Sequence, residues 1–155
     1  MVPYRNGHIS KELCMGRPLL TAACLSAALA TSAAAQDAGG TISLELNRIS
    51  ETDSGGCQVV FFGNNQLDQN FSDVTWRLAV FGADGVFRNL LSLPLGELSA
   101  GKRRVVQYNL PSACADLSEI IVNDVAKCEL EGAGDSDVCL SSLNVTSRTD
   151  IAFGL

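Results

Sequence analysis

The sequence predicts an all-β domain, an antiparallel β-sandwich of seven or eight short strands. Three observations lead there. Apolar and polar residues alternate with period two along four stretches, the spacing of a strand with one buried face. Turn-forming Gly, Asn, Asp and Pro recur between the apolar stretches. After the first 40 residues no segment reads plainly as a helix, and Asp116 to Val125 is the one ambiguous run.

Taken in order, Ile42, Leu44 and Leu46 alternate with Ser43, Glu45 and Asn47, which gives a first strand with one apolar face. Ile49 to Gly56 reads as a turn cluster. Cys57 to Phe62 is apolar on both faces, as a central strand is, and Gly63 to Asp73 reads as a polar connection in which Asn64 and Asn65 serve a turn. Val74, Trp76, Leu78 and Val80 against Thr75, Arg77 and Ala79 form the clearest strand, with Trp76 on its core face. Gly82-Ala83-Asp84-Gly85 then predicts a hairpin, because Asp-Gly supplies the backbone twist that tight antiparallel turns need. Val86 to Leu93 is the return strand, and Pro94 to Gly101 a loop. Val106, Tyr108 and Leu110 alternate with Val105, Gln107 and Asn109 until Pro111 closes the strand. Leu117 to Val125 follows around Ile120-Ile121-Val122, although Asp116-Leu117-Ser118-Glu119 also suits the opening turn of a helix. Val138 to Val145 alternates again, and Ile151 to Leu155 makes a last short strand.

The chain has 155 residues with 17 acidic and 11 basic side chains, for a net charge of −6. Its start reads as an export signal. Arg5, Lys11 and Arg17 precede an uncharged stretch from Pro18 to Ala35 that ends in Ser32-Ala33-Ala34-Ala35-Gln36, a small-residue site placing cleavage after Ala35. Met1 and Met15 are both candidate starts, and the lack of a twin arginine points to the general secretory route. Retention of the apolar span as an anchor, and lipidation of Cys24 after Leu20-Thr21-Ala22-Ala23, are competing readings. Residues 1–35 are thus expected to be a signal peptide, 36–40 a flexible tail and 41–155 a single domain. Residues 36–155 carry 16 acidic and 8 basic side chains, four cysteines, and neither histidine nor methionine. A net charge of −8 disfavours nucleic acid and anionic lipid over most of the surface. No later stretch is apolar enough to span a bilayer, so the expected location is periplasmic or secreted, with no transmembrane segment once the signal is removed.

Phe61-Phe62-Gly63-Asn64, the stretch Leu78-Ala79-Val80-Phe81-Gly82-Ala83-Asp84-Gly85, the loop Leu98-Ser99-Ala100-Gly101 and the alternation Val106-x-Tyr108-x-Leu110 together resemble the immunoglobulin-like sandwich domains of exported bacterial proteins, in particular the FxLyD type. The resemblance covers about residues 57–110. It departs at the middle tyrosine, where Phe81 stands, and at the four cysteines. It implies an immunoglobulin-like sandwich with an interaction or accessory role, and it brings no catalytic residues. Four cysteines in an exported chain make two disulfides the default, in one of three pairings. If strand 57–62 neighbours strand 102–110 antiparallel, as second and fifth strands do in an immunoglobulin-like fold, Cys57 lies near Cys114. Cys128 and Cys139 then close the loop between two consecutive strands. On a loop-entropy model the two bridges contribute about 4 and about 3 kcal/mol.

The residue inventory removes most chemistry. With no histidine after the leader there is no usual base for a Ser nucleophile and no His-ligated metal, and paired cysteines offer no thiol. The expectation is no enzyme, no catalytic residues and no cofactor. A small hydrolase using two carboxylates is the alternative that the composition leaves, although a sandwich this small has little room for a deep cleft. Glu131, Asp135 and Asp137 lie on a Gly-rich segment and are a calcium candidate through oxygen ligands; otherwise they form a solvated acidic tip. Lys102, Arg103 and Arg104 are a candidate docking patch for an acidic partner or lipid headgroups; otherwise they are a cationic strand start that discourages edge pairing. Phe61, Phe62, Phe71, Phe81 and Phe87 supply a core, with some available for an exposed binding patch. Arg77, Arg88 and the 102–104 cluster interrupt any lipid-facing band, which argues against an outer-membrane barrel. The expected function is a protein- or envelope-binding accessory module, working through a sheet edge or end loops.

Overall fold

Period-two patterning is what the core selects. Ile42, Leu44 and Leu46 are fully buried on β1 (Ile42–Glu51), and Val59 and Phe61 face the same core from β2 (Cys57–Asn65). The computed structural model describes residues 40–155. The expected signal peptide with Cys24, and the tail up to residue 39, lie outside the described residues.

β3 (Phe71–Gly82) and β4 (Phe87–Leu98) form the expected hairpin. Its turn needs Gly85 at φ +74°, and the Gly82 N–H donates to the Val86 carbonyl at 2.9 Å. β5 (Arg103–Leu110) and β6 (Leu117–Leu130) follow, then β7 (Gly134–Asp135), a helical turn α1 (Val138–Ser141), β8 (Leu143–Ser147) and β9 (Ala152–Gly154). One sheet has the order β5-β2-β1-β8; the other runs β4-β3-β6, with β7 and β9 pairing along β6. A single buried cluster joins them, with Leu44, Leu46 and Phe61 from the first sheet and Trp76, Leu78, Leu93 and Ile120 from the second. The Phe61 and Phe153 rings meet between the sheets at 5.5 Å. The fold is therefore all-β, two sheets around one core.

Several boundaries differ from the sequence reading, each for a local reason. β1 continues to Glu51 past a register shift between Leu46 and Arg48, which breaks the alternation that would have marked it as strand. β4 runs through Pro94 to Leu98, because on an edge strand a missing N–H leaves no partner unpaired. Residues 138–141 form a helical turn, not a strand: the Asp137 carbonyl accepts the N–H groups of Leu140 and Ser141, both at 3.0 Å. The ambiguous run resolves into a short 3-10 turn at Cys114–Asp116 followed by strand. Not every pairing is antiparallel. After α1 the chain returns alongside β1 in parallel, and β9 lies parallel to β6.

Both disulfides have the expected pairing. Cys57 and Cys114 are joined with Cα atoms 4.7 Å apart, just beyond the antiparallel β2–β5 ladder, where Cys57 lies opposite Leu110. Cys128 and Cys139 are joined at 5.9 Å. Here the local geometry differs from the expectation, since Cys139 sits on α1 and not on a strand. Its carbonyl accepts the Trp76 indole N–H at 3.0 Å, so the bridge pins a helical turn over the buried tryptophan. Two such bonds belong to an oxidising compartment. Among the described residues, no helix is long and apolar enough to cross a membrane.

Candidate functional site: two free sheet edges

The chemistry of this surface starts from strands that run out of neighbours. β4 ends one sheet and β5 ends the other, and the loop between them places both on one flank. Val86, just before β4, is 53% exposed, Phe87 and Leu90 on β4 are 51 and 53% exposed, and on β5 Val105 is 65% exposed. A register shift between Val80 and Phe81 sets Phe87 opposite Phe81, and their rings meet edge-to-face at 6.1 Å. Inward-facing side chains on the same flank are also open. Leu91 lies opposite the buried Leu78, and Val106 and Tyr108 lie opposite the buried Phe61 and Val59, yet all three are only half-buried. Burial is still enough to raise the Tyr108 phenol above its ordinary value.

The cationic cluster lies where the chain passes from β4 into β5. Lys102 pairs with Glu97 at 3.2 Å, and Arg104 donates from Nη1 to the Glu97 carbonyl at 3.2 Å, which ties the start of β5 to the end of β4. Arg103 has no carboxylate within salt-bridge distance among the described residues. At the other end Arg88 pairs with Asp84 beside a shallow depression that Ser112 and Asp116 also line. The structure thus sets Lys102, Arg103 and Arg104 together on an edge.

It does not bring the calcium candidates together. Among the described residues, no three His, Cys, Asp or Glu side chains are grouped to hold a metal ion. Asp135 is spent in β7, opposite Glu129, while Asp137 precedes α1 and Glu131 lies in the turn between β6 and β7. Of the five phenylalanines considered for a binding patch, Phe61 and Phe71 are core, Phe62 and Phe81 half-buried, and Phe87 exposed. A shallow depression of about 360 Å³ holds two carboxylates, Glu97 and Glu131, with Asn70, Ser72 and Ser99. Hydrogen bonding from Ser99, then from Lys102, holds Glu97 below the usual carboxylate range, the wrong direction for a proton donor.

Sequence reasoning gave Asn65 a place in a turn and missed its burial. It is fully buried at the end of β2, and its Nδ2 donates to the carbonyls of Gln69 and Leu98 at 2.8 and 3.0 Å while its Oδ1 accepts the Leu67 N–H at 3.0 Å. An Asn-Asn pair reads the same whether it caps a surface turn or locks a buried loop, so no sequence signal separates the two.

Fold and surface together define a two-sheet, doubly bridged β domain with an open flank. No family model matches the chain, and no curated protein does. Among solved structures, it is similar to IrmA from Escherichia coli at 14% identity, with a TM-score of 0.51 over 68% of this chain and 91% of that one. At that identity the likeness speaks for the fold alone.

Proposed function

We propose that this chain is an exported, non-enzymatic binding module, a periplasmic or secreted accessory domain of immunoglobulin-like, FxLyD-type architecture whose ligand is a protein or another envelope component. The observation that carries the reading is the open flank. Exposed apolar side chains on two unpaired edge strands are an aggregation hazard that folded proteins usually avoid, and retaining them fits a surface kept for a partner. The leader and the two disulfides support export. Support for a non-enzymatic role comes from the inventory: all four cysteines of the described residues are bridged, and the depression that gathers two carboxylates is shallow and holds Glu97 ionised.

A photo-crosslinking amino acid placed at Leu90 and, separately, at Val105 tests the reading in intact cells of the source organism. A discrete adduct from either position is the expected result, together with no turnover of a glycan and ester panel by the purified chain. Absence of an adduct from both positions, or turnover lost on Glu97→Gln, would overturn it.

A further inference from the structure

We infer that the flank between β4 and β5 takes an extended, carboxylate-bearing polypeptide segment, which adds as a new strand to the free edge of β5. The inference rests on the binding-module reading and gives it a place and a chemistry. Three independent features converge on it.

The first is the backbone. β5 pairs with β2 without a register shift from Arg103 to Leu110, so its alternate N–H and C=O groups point away from β2 in a regular row. β4 is the poorer template. Its ladder with β3 shifts register three times, and Pro94 removes a donor. The second is the half-covered inner face. Val106 and Tyr108 face the core yet stay partly open, and a strand laid beside β5 would set every second side chain against them. Its intervening side chains would stand next to Val105, the most exposed of the large apolar residues described.

The third is charge. Residues 84–111 carry Arg88, Lys102, Arg103 and Arg104 against Asp84, which pairs with Arg88, and Glu97, a net +2, while the described residues 40–155 together carry −7. One flank of an acidic protein is therefore cationic. Arg103 has its charge uncommitted, and Arg104 is engaged by a carbonyl rather than a carboxylate. A row of alternating donors and acceptors at the strand repeat matches a polypeptide backbone and not a sugar chain, so an acidic peptide is favoured over an acidic glycan.

The test uses the disulfide-bonded chain purified from an oxidising compartment. The probe is a synthetic peptide of alternating valine and threonine with two aspartates at each end, and a second probe carries lysines in their place. The acidic probe is expected to bind at least tenfold more tightly at low salt and to slow hydrogen exchange at the amides of residues 105–109. Arg103→Glu should abolish the preference, Arg103→Gln should halve it or more, and Val105→Lys should weaken both probes; both positions are exposed, so the melting temperature should hold. Equal binding of the two probes, protection on β4 or nowhere, equal competition by polygalacturonate, or self-association through β5 in sedimentation would each overturn the inference. An envelope adduct at Leu90 with any of those outcomes sinks this inference alone. No adduct at either edge sinks the binding-module reading with it.

Discussion

At the residue scale, the buried polar contacts carry more than their number suggests. Asn65 is fully buried and satisfies two carbonyls and one N–H, of which the Leu98 carbonyl is itself buried, so its removal strands that carbonyl and frees the 65–69 turn. Asn65→Ala is expected to cost about 2–4 kcal/mol, read as a lower midpoint in urea at unchanged slope. Gly63 is constrained differently. A Cβ there would lie 2.2 Å from Leu95 Cδ2, where the two sheets approach. Gly63→Ala should therefore destabilise by about 1–3 kcal/mol, and less in a Leu95→Ala background, because the clash and the cavity fill each other. Additive costs in that double-mutant cycle would show that the sheets are not in contact there.

At the element scale, what was legible in the sequence tracks how regular each ladder is. The strand at Val74–Val80 and the Asp84-Gly85 hairpin were readable because alternation and turn chemistry agree there. The far end of β1 and the stretch beyond Val125 on β6 were not, because bulges insert one residue and reverse the alternation. The departure at 138–141, ahead of the expected strand at 143–145, has another cause. Four alternating residues fit a strand, but the bridge to Cys128 and the Trp76 indole hold that backbone as a helical turn, and neither contact is visible to periodicity. The edge site was half legible: the basic cluster stood out, while the openness of Val105 and Leu90 needed the sheet order. The same assignment separates the two disulfides by experiment. Cys128→Ala/Cys139→Ala should loosen α1 and release Trp76 from its carbonyl, giving red-shifted emission in a chain whose strands persist. Cys57→Ala/Cys114→Ala opens the longer loop, with sequence separation 57 against 11, and should cost about 1 kcal/mol more stability while leaving the tryptophan emission in place.

At the scale of the whole molecule, charge placement sets how stability follows pH. Three carboxylates lie below their ordinary values in the folded chain: Glu45 through Asn47 and then Arg148, Asp84 through the Val86 N–H and then Arg88, and Glu97 through Ser99 and then Lys102. A lowered folded value means that the unfolded chain takes up the proton first. Their contribution is present above the unfolded value near 4 and disappears as pH falls through the folded one. Two groups lie above their ordinary values: Lys127, chiefly by hydrogen bonding to Asp73, and Tyr108, by burial. Theirs is present below the unfolded values near 10 and disappears as pH rises through the folded ones. No histidine, the side chain whose ordinary value falls between these two edges, lies among the described residues. The melting temperature should therefore hold level from about pH 5 to about pH 9 and fall on both sides. Because these pairs are exposed, each edge should be shallow, and the acid edge should flatten further in high salt. Calorimetric scans at half-unit intervals of pH check this. A step near pH 6 to 7 would require a buried ionisable group within residues 40–155 that this arrangement of side chains does not contain.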